Sequence, residues 1–145
     1  MSTLAPTSLV LDPPPVSTAA MWSGRVLSGL LILFLLFDGA FKLVPIESAA
    51  RIVTETSLQL GIPPHLAPML GALTLAGAVL YAIPRTSVLG AILLTGYLGG
   101  AIYVHVRADS PLFSHTLFGV YLGVIMWAGL WLRDPLVRAL IPLRR

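Results

Sequence analysis

The sequence contains four long apolar stretches, at about residues 26–44, 66–83, 88–106 and 117–132, separated by prolines and charged side chains. A helix needs roughly 20 residues to cross a hydrocarbon core of about 30 Å, and each stretch is close to that length. The pattern therefore predicts four transmembrane helices.

The composition agrees with a protein that lies in lipid. The chain is 57% hydrophobic and 10% charged, with a mean hydropathy of +0.90, so it has too few polar groups to solvate a water-exposed surface. Cysteine is absent, which excludes structural disulfides, thiolate metal sites and dithiol exchange. The net charge of +3 comes from basic residues at helix ends, where lipid headgroups are the expected partner, and we exclude nucleic-acid binding.

The short connections predict an all-α, integral membrane four-helix bundle of up-down-up-down topology. Residues 84–87 separate the second and third spans, which must form an antiparallel hairpin, and the link at 107–116 is also short. Between Pro45 and Pro63 the apolar residues fall near one helical face, and Gly61 suits a C-terminal cap, so we expect a short interfacial helix between spans one and two. Residues 1–22 show no periodicity and predict a flexible tail, leaving 23–145 as a single transmembrane domain.

The distribution of basic residues predicts the orientation. Positive charge favours the cytoplasmic side of a membrane. The side that carries both termini has six arginines, against two arginines and one lysine on the other: Arg25, Arg85, Arg133, Arg138, Arg144 and Arg145, against Lys42, Arg51 and Arg107. Both termini are therefore predicted to be cytoplasmic.

Polar residues collect at the predicted outer face. Asp38 and Lys42 lie in the outer half of span one, where an ionised side chain costs up to about 2.5–3.5 kcal/mol, so the pair needs an explanation. Their spacing of four residues, acid first, predicts an intramembrane ion pair along one helix face. His105 and Arg107 end span three and His115 precedes span four, so these side chains also fall on the outer side.

Small residues form strips on spans three and four. Gly96 and Gly100 are spaced as GxxxG, and Gly119 and Gly123 continue the face that begins at His115. Such strips let helix backbones approach closely. We interpret both strips as helix-packing surfaces.

The sequence resembles the DoxX-like family of small bacterial membrane proteins. The resemblance rests on the run IPRT at 83–86, on TGYLGGA at 95–101 followed by His105 and Arg107, and on Asp38-Gly39 with Lys42 in span one. It implies a four-helix protein of the bacterial inner (cytoplasmic) membrane, and it implies an association with quinone oxidoreductase systems. The family's polar positions correspond here to Asp38, Lys42, His105 and Arg107.

Two classes of function follow. In the first, the chain is a binding or accessory subunit, and Lys42, His105 and Arg107 line an outer pocket for an anionic or quinone-like head group. In the second, it is a redox or electron-transfer component in which His105 and His115 ligate a haem or a metal. We favour the first. Catalytic residues, the cofactor (haem and quinone being the alternatives), a redox-enzyme partner and a homo-oligomeric state stay open, whereas the lipid bilayer is an expected partner.

Overall fold

The structure, a computed structural model, describes residues 16–44 and 46–140, which form six α-helices and no β-strand. A 3₁₀ turn, Pro64–Leu66, precedes the third helix, and a π-helical segment, Leu112–Thr116, precedes the fifth. The helices are α1 (Thr18–Phe41), α2 (Glu47–Gln59), α3 (Ala67–Ala82), α4 (Ser87–Arg107), α5 (Phe118–Arg133) and α6 (Pro135–Leu140). Four helices are long and apolar enough to cross a membrane: α1, α3, α4 and α5. The spans of α3 and α5 include the short helical segments that precede them. The predicted all-α class is confirmed.

The first helix begins earlier than the sequence suggested. Ser17 caps α1, since its Oγ accepts a hydrogen bond from the backbone N–H of Ala20 at 3.3 Å, and this capping starts the helix at Thr18. Residues 18–22 are therefore helical, although they were assigned to a flexible tail; most of that tail, residues 1–15, lies outside the described residues. The helix gains its early start from a capping serine that the hydropathy pattern does not register.

The last span ends before Pro135, as predicted, and a further short helix begins at Pro135. Asp134 Oδ1 accepts hydrogen bonds from the backbone N–H groups of Leu136 and Val137, at 2.9 and 3.3 Å, and so caps the short helix α6. Val137 of α6 is buried in the core. The sequence interpretation missed this helix.

The four long helices form a ring. α1 packs against α3 and α5, and α4 packs against the same two helices, so α1 and α4 lie on a diagonal and do not form a packed pair. The two ends of the bundle differ. We name one the α2 end, which holds α2, the end of α4 and the π-helical segment; the other, the terminal end, holds the start of α1 and α6.

The terminal half of the bundle is densely packed around Tyr81. Its fully buried phenol donates a hydrogen bond to the carbonyl of Met126 at 2.9 Å and lies 2.9 Å from the hydroxyl of Ser28. Because the single phenolic proton is used on Met126, the Ser28 hydroxyl donates to Tyr81. The absence of a side chain at Gly90 lets the backbone of Tyr81 approach, since a Cβ there would lie 2.3 Å from the Tyr81 nitrogen. Tyr81 thus links α1, α3 and α5 by side-chain hydrogen bonds.

The helix α2 occupies the connection where a short interfacial helix was predicted. Its end is a Schellman motif: the N–H of Gly61 bonds to the carbonyl of Leu58 at 3.0 Å, and the N–H of Ile62 bonds to that of Ser57 at 2.8 Å. Gly61 has a φ of +65°, the left-handed conformation in which glycine is least strained. The predicted role of Gly61 as a C-terminal cap is confirmed.

Candidate functional site

A cavity of about 600 Å³ opens in the α2 half of the bundle, where the diagonal helices α1 and α4 stay apart. Its volume lies within the range of about 300–1,000 Å³ that is typical of small-molecule sites. The walls are largely apolar, and the polar side chains among them come from four different elements: Asp38, Lys42, Thr56, Tyr97, Tyr103, His105 and His115. An apolar chamber with a few convergent polar groups is the usual form of a ligand site.

Asp38 and Lys42 form a salt bridge in the wall of this cavity. Both belong to the last part of α1, Lys42 being the residue that follows its final turn, so the i,i+4 spacing brings the two side chains together on one helix face. The side chains keep 22% (Lys42) and 35% (Asp38) of their surface exposed. The pair therefore contributes a polar but electrically neutral surface to the cavity.

Two histidine rings meet on the opposite side. The centroids of the His105 and His115 rings lie 5.8 Å apart, and both residues line the cavity. Serine hydroxyls contact the Nδ1 atom of each ring, Ser110 on His105 at 3.1 Å and Ser114 on His115 at 2.8 Å. In the tautomer in which a serine donates to Nδ1, the Nε2 atom carries the ring proton and is a hydrogen-bond donor.

The turn between α4 and the π-helical segment produces this pairing. Asp109 takes a left-handed conformation with a φ of 50°, which aspartate tolerates better than most residues, and so reverses the chain direction. The following segment uses i→i−5 hydrogen bonds, from Thr116 to Pro111 at 3.2 Å and from Leu117 to Leu112 at 2.8 Å. Single π-helical turns are frequent at functional sites. Here the segment carries His115 to the side of His105.

Arg107 lies outside the cavity lining. Its guanidinium donates hydrogen bonds to the carbonyls of Leu60 and Gly61, at 2.8 and 3.1 Å, and covers Gly61 so closely that a Cβ there would lie 2.6 Å from Nη2. Of the three residues predicted to bind a ligand, the structure brings Lys42 and His105 to one cavity. Arg107 is instead a cap on the end of α2.

The glycine strips are not uniform packing surfaces. A Cβ at Gly119 would lie 2.8 Å from Ile102 Cγ1, so this glycine does allow α4 and α5 to approach, as predicted. A Cβ at Gly96, Gly100 or Gly123 would meet no atom within 4 Å. Within one chain these three glycines therefore leave open space where a packed helix was predicted, and a GxxxG spacing does not reveal which side of the helix the neighbour occupies. Gly96 and Gly100 line the cavity.

Other cavity residues escaped the sequence interpretation. Thr56 lies in α2 and Leu60 caps its C-terminal end, while Phe34 and Phe118, whose rings lie 5.5 Å apart, come from α1 and α5. Apolar residues on a transmembrane helix carry no sign of whether they face lipid or a cavity. Tyr97 had a signal, because it shares one face of α4 with Ala101 and His105.

Metal ligation has limited support from the side chains. Among residues 16–44 and 46–140, no group of three or more His, Asp or Glu side chains could hold a metal ion. The two histidines named as an alternative metal pair are adjacent, but no third such ligand accompanies them within that part of the chain.

Comparison with known proteins identifies the family. A profile of the DoxX-like family matches residues 26–129, a range that contains every residue of the cavity lining. No match was found among curated proteins or among solved structures. Since the profile covers most of the sequence, the chain belongs to the DoxX-like family.

Proposed function

We propose that this protein is a membrane-embedded binding subunit whose cavity holds a quinone-like head group. The observation that carries the proposal is the cavity itself: about 600 Å³ of largely apolar space with two histidine rings in its wall. A flat ring compound with carbonyl oxygens matches such a chamber, since the apolar wall covers the ring and histidine N–H groups donate to the oxygens.

The charges favour a neutral head group over an anion. Lys42 is the one basic side chain other than histidine in the lining, and Asp38 already neutralises it. Arg107, which sequence reasoning offered as an anion ligand, is committed to the carbonyls of Leu60 and Gly61. An anionic ligand would have to compete with Asp38 for Lys42. Of the two head groups that the sequence left open, we therefore propose the quinone-like one.

A pair of adjacent glycines gives a sharp test. Gly100 lines the cavity and Gly99 does not, while neither would bring its Cβ within 4 Å of another atom. Gly100→Leu should fill part of the cavity without a backbone clash, and Gly99→Leu is the matched control because it makes the same exchange one residue away on α4. The probe is a naphthoquinone without a side chain, and its binding is measured calorimetrically to the protein in lipid nanodiscs.

We expect Gly100→Leu to weaken binding by about tenfold or more, the equivalent of losing about 1.4 kcal/mol, and Gly99→Leu to leave it within about twofold. His105→Ala should weaken binding by about fivefold, because one net hydrogen bond contributes about 1 kcal/mol. Equal binding by the Gly99 and Gly100 variants would show that the probe does not occupy this cavity. Thermal unfolding of each variant reports whether its fold is retained.

The adjacent histidines favour a second candidate, a redox component with histidine-ligated haem. Two imidazoles that converge from neighbouring segments are the side chains that axial ligation of a haem uses. The visible absorption spectrum of protein purified from haem-replete cells separates the candidates. A Soret band that disappears in both His105→Ala and His115→Ala would favour haem, whereas a colourless protein that binds the naphthoquinone would favour the binding subunit.

We infer the location from the sequence asymmetry and the family. The protein is proposed to lie in the bacterial cytoplasmic membrane with both termini in the cytoplasm, which places the cavity in the outer half of the bilayer. A redox enzyme that delivers or consumes the quinone is the proposed partner. We also propose that the protein self-associates, and its oligomeric state in nanodiscs is measured in the experiment described in the next subsection.

A further inference from the structure

A second concave surface lies on the outside of the bundle, along the seam between α4 and α5. This groove, which we name the seam groove, has a volume of about 390 Å³ and an almost wholly apolar lining. Two glycines without neighbours, Gly99 on α4 and Gly123 on α5, make it concave, since a Cβ at either would meet no atom within 4 Å. No close contact between helices of this chain requires glycine at either position.

The groove ends toward the terminal half at a hydrogen bond between the two helices. The indole N–H of Trp127 donates to Thr95 Oγ1 at 3.0 Å, and Thr95 in turn donates to the carbonyl of Ala91 at 2.7 Å. Trp127 and Thr95 both line the groove. The seam is therefore closed below the groove by a polar contact, and the groove continues in the direction of the α2 end.

In that direction the seam groove shares a wall with the cavity. Leu98, Ile102 and Gly119 line both spaces. Ile102 lies directly over Gly119, where a Cβ would be 2.8 Å from its Cγ1. The partition between the membrane-facing groove and the inner cavity is thus formed by residues that line both spaces, and the side chain of Ile102 is part of it.

The geometry points to a ligand with two parts: a ring head group in the cavity and a hydrocarbon chain that passes between α4 and α5 at Ile102 and lies in the seam groove. This inference rests on the proposed function and adds the class of ligand, a quinone that carries an isoprenoid or alkyl chain and enters from the bilayer. The wall that the two spaces share at Ile102, the apolar lining of the outer one and its closure at Trp127 support it. A chain in this position needs no polar partner, and the groove offers almost none.

The experiment compares a naphthoquinone with no side chain to one with a single ten-carbon isoprenoid chain. Both are titrated into the protein in nanodiscs, and affinity is expressed as probe mole fraction in the bilayer, with protein-free nanodiscs correcting for partition. Lipid is as apolar as the groove, so the chain gains only packing and a fixed position; we expect the chain to tighten binding by about fivefold.

Gly99→Leu and Gly123→Leu fill the groove and should abolish this gain while leaving affinity for the chainless probe unchanged. Gly29→Leu is the control, because Gly29 on α1 also has open space around it and lies in neither lining. It should keep the full gain. Ile102→Trp should thicken the partition and weaken the chain-bearing probe more than the chainless one.

Each remaining result counts against the inference. If the chainless probe binds and the chain adds nothing, or the Leu variants keep the gain, the groove does not hold the chain, and the proposed function stands without it. If neither probe binds, the proposed function itself fails. If Gly99→Leu and Gly123→Leu convert a dimer to a monomer in the nanodiscs, another copy of the chain covers the groove, and the inference is overturned.

Discussion

At the scale of single residues, the salt bridge between Lys42 and Asp38 is the least expected feature in an apolar helix. Each charge partly offsets the cost that the other incurs in the membrane, and both side chains are only partly exposed. Lys42→Met should therefore lower the free energy of unfolding, by about 1–4 kcal/mol. The loss is at the low end of this range if water solvates the exposed part of Asp38 or if Asp38 takes up a proton. The double variant Asp38→Asn with Lys42→Met should lose less.

Thermal unfolding in detergent measures this prediction, with the double variant expected to melt above Lys42→Met alone. Arg51→Met serves as the control, because Arg51 is an exposed cation on α2 and its replacement should hardly change the melting temperature. If the single and double variants melt together, the two side chains are not coupled in the folded protein.

The same scale shows which residue roles a sequence can reveal. Asp38 and Lys42 are four apart on one helix, so their contact follows from helix geometry. Arg107 bonds to carbonyls 46 and 47 residues away in the chain, in the link between α2 and α3. No local pattern indicates such a partner, and sequence reasoning therefore took Arg107 for a ligand-binding cation. Likewise, the pairing of His105 with His115 depends on a left-handed Asp109 and a π-helical turn that spacing alone does not predict.

At the scale of elements, α2 is the least anchored helix at the cavity. Among its residues, Ala49 and Ser57 are buried, while Thr56 and the C-cap residue Leu60 line the cavity. Its C-terminal end is held by Arg107, whose two hydrogen bonds tie it to the end of α4. Arg107→Gln should remove that tie and loosen α2 without disturbing the transmembrane helices.

Hydrogen exchange followed by mass spectrometry checks this prediction. Amides of 47–62 should exchange about fivefold faster in Arg107→Gln than in the parent protein, since the lost charged hydrogen bonds contribute about 1 kcal/mol or more. Arg51→Gln, which removes the same charge from an exposed site at the same end, should leave exchange unchanged. Faster exchange throughout α1, α3, α4 and α5 would mean that Arg107 supports the whole bundle and not α2.

The four apolar stretches illustrate why elements are easier to predict than their contacts. Hydropathy placed each span within a few residues, apart from the start of α1, where the Ser17 cap decides the boundary. The glycine strips were harder, because Gly119 packs on Ile102 while Gly123, one turn further along the same face, lies open in the seam groove. The spacing of small residues along one helix does not specify which side of that helix contacts a neighbour, because this depends on the arrangement of the whole bundle.

At the scale of the whole molecule, the bundle divides into a packed half and an open half. The terminal half is filled by Tyr81 and its hydrogen bonds to Ser28 and Met126, whereas the α2 half keeps its diagonal helices apart around the cavity. A packed half that fixes helix positions and an open half that contains a cavity are consistent with the binding role proposed above. The sequence predicted the convergence of polar residues at one end, but the cavity depends on where the four helices lie relative to one another.

The orientation of that open half in the membrane is the remaining prediction, and it follows from the excess of arginine on the side of the termini. Because the chain has no cysteine, single cysteines report topology without background. Ser48→Cys, at an exposed position on α2, should react with a membrane-impermeant maleimide on intact bacterial cells from which any outer membrane has been removed. Ser2→Cys, near the amino terminus, should react only after the cells are permeabilised. The opposite labelling would place the cavity in the cytoplasmic half of the bilayer and would require that its ligand be exchanged with partners on that side.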